Sequence, residues 1–508
     1  MSDVGRHVAP DVVSARLDEI SALSPRLAAE YLEEQGVIPL AERDGVLRVG
    51  AWRDDVAPEA LYELESVFGM RVVLERVNED DARAAIRRAY GESSAQSLID
   101  AYADGGAVSG GNDAPAIDDL RALANEAPVI RLVSMLLAEA LDARASDVHL
   151  EAYPDSLRVR YRVDGVLQEA PSPPRSMAPA VISRLKVMAD LDIAERRTPQ
   201  DGRIRLVLQD RQVDVRVSTV PTLHGESVVL RLLDKESGRL GLDALGMAAG
   251  DLARLTEVLA RPHGIVLATG PTGSGKTTTL YAALEQLRTG REKILTVEDP
   301  VEYQLAGIPQ VPVNEKVGVT FASALRALLR QDPDVMLVGE IRDGETAEIA
   351  TQAALTGHLV LSTLHTNDAA GALTRLVDLG VAPFLVAATV EAVLAQRLVR
   401  TVCAVCARSV PATDGERMAL ALPALENVRR GAGCAACRGS GYLGRTGIYE
   451  LLVLDEAMRA SISAGEGAVA VRQLARAAGM RLLRDDGARL VEEGVTTPEE
   501  VLRVCRSG

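Results

Sequence analysis

The residues with the clearest capacity for chemistry are Gly270, Pro271, Thr272, Gly273, Ser274, Gly275, Lys276 and Thr277, which spell G-x-x-x-x-G-K-T. An apolar run, residues 264–268, precedes them, and a helical pattern opens at Thr278. Strand, glycine-rich loop and helix in that order form a phosphate cradle. The glycines let successive backbone N–H groups curl around an anion, and the helix N-terminus adds positive potential. Lys276 then reaches the terminal phosphates and the Thr277 hydroxyl is placed to ligate Mg²⁺, so ATP with Mg²⁺ is the expected ligand.

Such a loop needs carboxylates to hold the metal and polarise water. Residues 335–338 form a second apolar run, which ends in Gly339 and Glu340. Gly339 stands where many phosphate-loop enzymes carry a metal-binding aspartate, so Glu340 must serve Mg²⁺ directly or through water. A third run, residues 294–297, ends in Glu298 and Asp299 and offers another carboxylate at the same sheet edge. One of Glu298 and Glu340 polarises the attacking water while the other organises the metal shell, and the spacing leaves both assignments open.

Two of the six histidines, His358 and His365, bracket a short apolar run ending in Thr363 and Leu364. His365 or Thr363 is thereby placed to sense a γ-phosphate and His358 to relay the change; the plainer reading is a buried, hydrogen-bonded histidine. Upstream, Arg203, Arg205, Arg216 and Arg231 lie on strand-like segments. In a ring such guanidinium groups can neutralise transition-state charge, although single surface arginines are usually just solvated.

Four of the five cysteines fall into two C-x-x-C pairs, Cys403/Cys406 and Cys434/Cys437, leaving Cys505 alone. In a reducing compartment this pattern means metal before disulfide. Four thiolates close a tetrahedral shell, so a structural Zn²⁺ with no open position is expected, with a redox pair as the weaker alternative.

The elements that must position these groups can be read in outline. Residues 17–102 alternate helical patterns with strand-like runs at 46–49 and 71–74, which is a small α/β domain. Residues 104–115, DGGAVSGGNDAP, have the composition of a flexible linker. A helix over 127–143 and strands at 146–151, 156–165, 203–208, 213–219 and 227–232 predict a mixed α/β domain around an antiparallel sheet. From residue 264, buried strands alternate with helices as in a mostly parallel sheet. The segment from about Leu443 reads as a helical tail with helices at 469–478 and 485–493. The boundaries drawn are 1–103, linker 104–117, 118–240, a phosphate-loop domain 241–398, a tetracysteine element 399–442 and a helical region 443–508.

Composition narrows the function. The 508 residues are 47% hydrophobic and only 3% aromatic, so the cores are aliphatic and base-stacking platforms are scarce. A net charge of −16 opposes direct contact with nucleic acid or an anionic membrane surface. No run approaches the ~18 apolar residues of a membrane span, and Met1 to Pro10 lack a secretory pattern. A cytoplasmic protein that meets a membrane only through partners is expected.

Together these motifs resemble those of the secretion and type IV pilus ATPases. The phosphate loop, LTVEDPVEY at 295–303, RQDPD at 330–334 running into GEIRD at 339–343, and the histidine segment 356–366 match that family's boxes in order. The resemblance extends over 118–508 and is strongest to the type II secretion branch, through the tetracysteine element, Thr278-Thr-Leu-Tyr281 and Asn367-Asp-Ala-Ala-Gly371. It implies a RecA-like core preceded by a PAS-like α/β domain, a small N-terminal α/β domain, and a zinc knuckle with a helical C-terminal region. It further implies a homohexamer that binds ATP between two lobes, docks through its N-terminal region on the cytoplasmic domain of an inner-membrane anchor, and works with an inner-membrane platform protein. Roles carry over by motif position to Lys276, Thr277, Glu298, Glu340, His358 and His365, and more loosely to Arg203, Arg216, Arg231, Arg326 and Arg330. The implied work is pseudopilus assembly for protein export; pilus extension, a non-hydrolytic docking module and a DNA-uptake motor are the alternatives.

Overall fold

The structure is a computed structural model that describes residues 31–82 with short gaps, the single positions 95, 99 and 124, and residues 127–505 apart from 209–210 and 235–239. The expected linker and the helical pattern before residue 31 lie outside the described residues. The chain divides into two compact units, one built mainly from residues before 232 and the other mainly from 232 onward.

In the first unit, β1 (Val37–Arg43) and β2 (Val46–Ala51) pair antiparallel. Helix α1 (Pro58–Phe68) crosses to β3 (Arg71–Arg76), which lies parallel to β2. Alternation along β2 sends Leu47 and Val49 into a core with Leu32, Ile38, Trp52 and Leu64. Next, α2 (Ala127–Asp142) buries Val129, Leu132, Val133, Leu136 and Leu137, the spacing of one helical face.

Six strands follow: β4 (Ala145–Ala152), β5 (Leu157–Val163), β6 (Val166–Glu169), then, after α3 (Ala178–Met188), β7 (Gln200–Leu208), β8 (Arg211–Thr222) and β9 (Gly225–Asp234). They are ordered β6-β5-β4-β9-β8-β7, with β4 antiparallel to β9. The Tyr161 hydroxyl donates to the Leu136 carbonyl at 3.0 Å and ties α2 to this sheet.

The second unit contains a seven-stranded sheet. Its elements are α4 (Ala249–Leu259), β10 (Gly264–Thr269), α5 (Lys276–Leu287), β11 (Ile294–Glu298), β12 (Gln310–Pro312), α6 (Phe321–Leu328), β13 (Val335–Val338), α7 (Gly344–Leu355), β14 (Leu359–Leu364), α8 (Ala369–Asp378), α9 (Pro383–Thr389) and β15 (Val390–Val402). After the excursion β16 (Ala407–Pro411), α10 (Asp414–Leu420) and β17 (Asn427–Gly431), the chain returns as β18 (Tyr442–Val453) and ends in α11 (Glu456–Ser463), α12 (Ala468–Ala477), α13 (Leu483–Glu492) and α14 (Pro498–Cys505).

The sheet order is β12-β11-β13-β14-β10-β15-β18, and the pairs are parallel except β15 with β18. Strands β10, β11, β13 and β14 are buried along their whole length because helices cover both faces. One apolar cluster gathers α6 to α9, α11 and α12; the other gathers α4 and α5. Among the described residues no helix is long and apolar enough to cross a membrane.

The structure corrects two elements. The segment expected to be helical from Leu443 begins as strand: β18 pairs with β15 from Val453 opposite Ala392 to Tyr442 opposite Val402. Its residues Ile448 to Leu452 are all buried, so they lack the period-two pattern that would have marked a strand. The helix after the phosphate loop opens at Lys276 rather than Thr278, because Gly275, at φ 89°, already completes the turn.

Candidate active site

Parallel pairing brings the carboxyl ends of β10, β14, β13 and β11 to one edge. Val297 aligns with Val338, Val338 with Ser362, and Ala268 with Thr363. Glu298, Gly339 and Thr363 therefore stand level, one residue beyond or beside the same row, next to the loop that follows β10. Gly339 donates its N–H to Val297 O at 2.8 Å, and Thr363 Oγ1 donates to Gly339 O at 2.8 Å. These bonds hold the three strand ends together where ligands bind in open parallel sheets.

The loop itself requires glycine. Gly270 has φ 148°, and a Cβ there would lie 2.6 Å from Gln396 O and 2.6 Å from Ser274 Oγ. Lys276 is 9% exposed and donates to Gly270 O at 2.7 Å and Pro271 O at 3.1 Å. Burial pulls its ammonium down to about 8; Glu340 opposes that fall and Arg397 adds to it. Gln396 Nε2 donates to Ser274 O at 2.8 Å, and Arg397 donates to Gln396 O and Asn367 O, each at 3.0 Å. The polar pair on β15 thus braces the phosphate loop against the segment after His365.

The two candidate carboxylates occupy different surroundings. Glu340 faces Arg342, with Arg342 Nη2 2.5 Å from Oε1, and His365 Nε2 lies 3.5 Å from Oε2. Burial pushes the Glu340 carboxyl up, but the Arg342 hydrogen bond, then Arg342, His365 and Lys276 as charges, carry it below its ordinary value. Arg342 also reaches Asp299 at 3.8 Å and so spans both acidic segments. Glu298 is 3% exposed. Its Oε1 accepts from Thr296 Oγ1 at 2.5 Å and from Gln310 Nε2 at 3.1 Å, and its Oε2 accepts from the Tyr281 hydroxyl.

The histidines separate. His365 follows β14 at the phosphate-loop edge, whereas His358 precedes β14, so the strand puts roughly 20 Å between them at about 3.3 Å per residue. His358 Nδ1 lies 2.9 Å from Ala353 O and 3.2 Å from Thr356 Oγ1, at the C-terminus of α7. His358 therefore stands at the end of β14 away from the phosphate loop. Arg203, Arg216 and Arg231 lie on β7, β8 and β9 of the first unit; Arg231 pairs with Asp147 at 2.9 Å. Arg326 pairs with Glu345 at 2.5 Å, and Arg330 donates to Arg326 O at 2.8 Å.

Cys403, Cys406, Cys434 and Cys437 place their sulfurs within 4.8 Å of one another. The distances are 3.8 Å for Cys403–Cys434, 3.8 Å for Cys406–Cys437 and 3.7 Å for Cys434–Cys437. Zinc–sulfur bonds of about 2.3 Å in a tetrahedron give edges of about 3.8 Å, so the four thiols fit Zn²⁺ and are too far apart for disulfides. Burial raises the Cys437 thiol, but the Cys434 and Gly441 backbone N–H groups, at 3.2 and 3.3 Å, bring it down to about 6.

Sequence reasoning missed Tyr281, Gln310, Arg342, Gln396 and Arg397 as members of this edge. Gln396 and Arg397 had a signal, two polar residues interrupting the apolar run 392–399. Tyr281 and Gln310 had none, because only tertiary pairing brings them to Glu298.

A model of the "Type II/IV secretion system protein" family matches residues 122–503. "Type II secretion system protein E" of Pseudomonas aeruginosa is 49% identical over 97% of this chain and all of its own length. The chain belongs to the type II secretion ATPase family. "Type II secretion system ATPase E" of Vibrio cholerae is 47% identical over 88% of this chain and 90% of its own. An MshEN domain matches residues 11–96. Among solved structures, the pilus retraction motor PilT with bound ADP covers 73% of this chain and 96% of its own at 25% identity and TM-score 0.50. The Legionella pneumophila ATPase DotB covers 74% and 96% at 21% identity and TM-score 0.56, a likeness of fold. This family member is thus an ATP-hydrolysing enzyme of the secretion ATPase fold.

Proposed function

We propose that this ATPase works as a homohexamer whose ATP hydrolysis energises pseudopilus assembly, and so protein export, by a type II secretion system. The observation that carries the site is the order of strands away from the phosphate loop. From β10 outward come β14 with His365, β13 with Glu340, and β11 with Glu298. Backbone N–H groups of Gly270 and of residues 272–278, including Thr278, cradle the phosphates, Pro271 having no N–H to offer, and Lys276 exchanges its loop carbonyls for phosphate oxygens. Hard oxygen donors suit Mg²⁺, and Thr277 with Glu340 would hold it, where the ion neutralises phosphate charge. Glu298, farthest out, polarises the water that attacks in line. His365, beside Glu340, reads the γ-phosphate. Arg203, Arg216 and Arg231 supply transition-state charge, and His358 braces the turn between α7 and β14.

Residues 1–103 form the docking domain, joined through linker 104–117 to the α/β domain 118–240; the phosphate-loop domain 241–398, zinc element 399–442 and the region 443–508, strand β18 followed by helices, complete the chain. The docking domain engages the cytoplasmic domain of an inner-membrane anchor, and the hexamer drives the platform protein without direct contact with nucleic acid or lipid. Near full-length identity to type II secretion proteins favours export over pilus extension. Deleting the gene and restoring it as wild type or Lys276→Ala tests this: exoprotein secretion fails and pilus-dependent motility survives. Loss of motility alone would make the chain a pilus-extension motor.

A further inference from the structure

Glu298 is held unusually completely for a carboxylate that must meet water. A carboxylate offers about four lone-pair positions. Thr296 and Gln310 take two on Oε1, and the Tyr281 hydroxyl takes one on Oε2. One position on Oε2 remains. The donors come from three elements, α5, β11 and β12, so no single side-chain motion releases the group. We propose that Tyr281 is a positioning residue for the ATPase reaction, fixing Glu298 so that its one unoccupied lone pair is presented to the attacking water.

Three observations make Tyr281 the deciding donor. Its phenol is fully buried, and burial together with the Glu298 charge raises its pKa, so the hydroxyl keeps its proton and donates. Its ring is fixed edge-on against Tyr303, centroids 4.6 Å apart at 78°. Gln310 in turn donates to Tyr303 O at 3.2 Å and accepts from Leu305 N–H at 2.8 Å, which binds the loop after Glu298 to the same cluster. Tyr281 also lies on the helix whose first residue is Lys276. The group that grips phosphate and the group that aims Glu298 are therefore parts of one rigid element, about one and a half turns apart.

This inference rests on Glu298 being the water-polarising carboxylate, and the test separates the two. Full-length wild type, Tyr281→Phe, Glu298→Gln and the double variant are compared for Mg²⁺-ATP hydrolysis at matched oligomeric state, with single-turnover measurements for slow variants. A hydrogen bond to a charged group implies a fall in kcat of roughly tenfold or more for Tyr281→Phe, with KM for ATP nearly unchanged. The double variant is expected to be no slower than Glu298→Gln alone, since the hydroxyl acts only through that carboxylate. Thr296→Val, which removes the other hydroxyl, should give the same kcat-only loss and decides the matter if Tyr281→Phe does not fold. Wild-type kcat for Tyr281→Phe beside an inactive Glu298→Gln, or losses that multiply in the double variant, would overturn the inference. Wild-type kcat for Glu298→Gln would instead overturn the assignment of Glu298.

Discussion

Replacing Lys276 by Met should stabilise the nucleotide-free protein while abolishing its response to ATP. The wild-type ammonium is drawn from 10.5 down to about 8, chiefly by burial. At about 1.4 kcal/mol per pH unit this is a cost of roughly 3 kcal/mol for keeping the charge at neutral pH. Partial solvent contact screens some of it, leaving about 2 kcal/mol. Met fills nearly the same volume but forfeits the bonds to Gly270 O and Pro271 O, worth together about 1 kcal/mol net where the loop stays wet. The expected gain is therefore about 1 kcal/mol at pH 7.

Between pH 8 and 10.5 the native wild type sheds this proton while the unfolded chain keeps it. Wild-type stability then rises with pH and the advantage of Met shrinks away. Saturating ATP reverses the ranking, since a ligand at a hundred times its Kd adds about 2.7 kcal/mol to the wild type alone. The one tryptophan, Trp52, lies in the first unit and would report the wrong region, so hydrogen exchange of the α5 amides is the suitable assay. A nucleotide-free Lys276→Met protein less protected than wild type, or a gap that does not change between pH 7 and 10, would refute the reasoning.

Purified protein should carry about one zinc per chain, and Cys434→Ser should lose it and melt earlier while Lys276 still binds nucleotide; metal analysis with nucleotide titration checks both. Glu500 should anchor α14: burial raises its carboxyl, but Arg503 and Arg400 hold it near 2. Glu500→Gln should cost about 2 kcal/mol at pH 7, and because the wild-type advantage is complete above the unfolded value near 4.5 and is lost below it, the two proteins should converge as the pH falls toward 2. Denaturation across that range measures it.

What could be read in the residues was whatever depends on local order. Strand, loop and helix around Lys276 follow one another in the chain, as do the two cysteine pairs, so both centres were legible. The shared edge of Glu298 and Glu340 was also legible, because apolar runs buried on both faces must lie in a parallel sheet. What separated the two glutamates was not, since Arg342 sits two residues from Glu340 whereas Tyr281 and Gln310 reach Glu298 from other elements. The separation of His358 from His365 was legible as well, since a strand between two histidines sends them to opposite ends; the Ala353 carbonyl and Thr356 hydroxyl that His358 meets there were not. β18 was hidden by its own burial, which erases the alternation that marks a strand.

The sheet order carries a consequence for biosynthesis. The phosphate loop follows β10, yet β10 is flanked by β14 and β15, made some ninety to a hundred and forty residues later. During translation the loop emerges on a strand with two naked edges, and the edge that β14 does not cover remains so until β15 leaves the ribosome. Such long-range pairing is slow and exposes apolar strands to other chains. A nascent subunit truncated before residue 402 would thus hold every phosphate-binding residue and still lack Gln396's grip on the loop only if the break fell before β15 was drawn in. Nucleotide binding by stalled chains of increasing length should therefore switch on as that strand docks, dating the birth of the motor to its last inner strand.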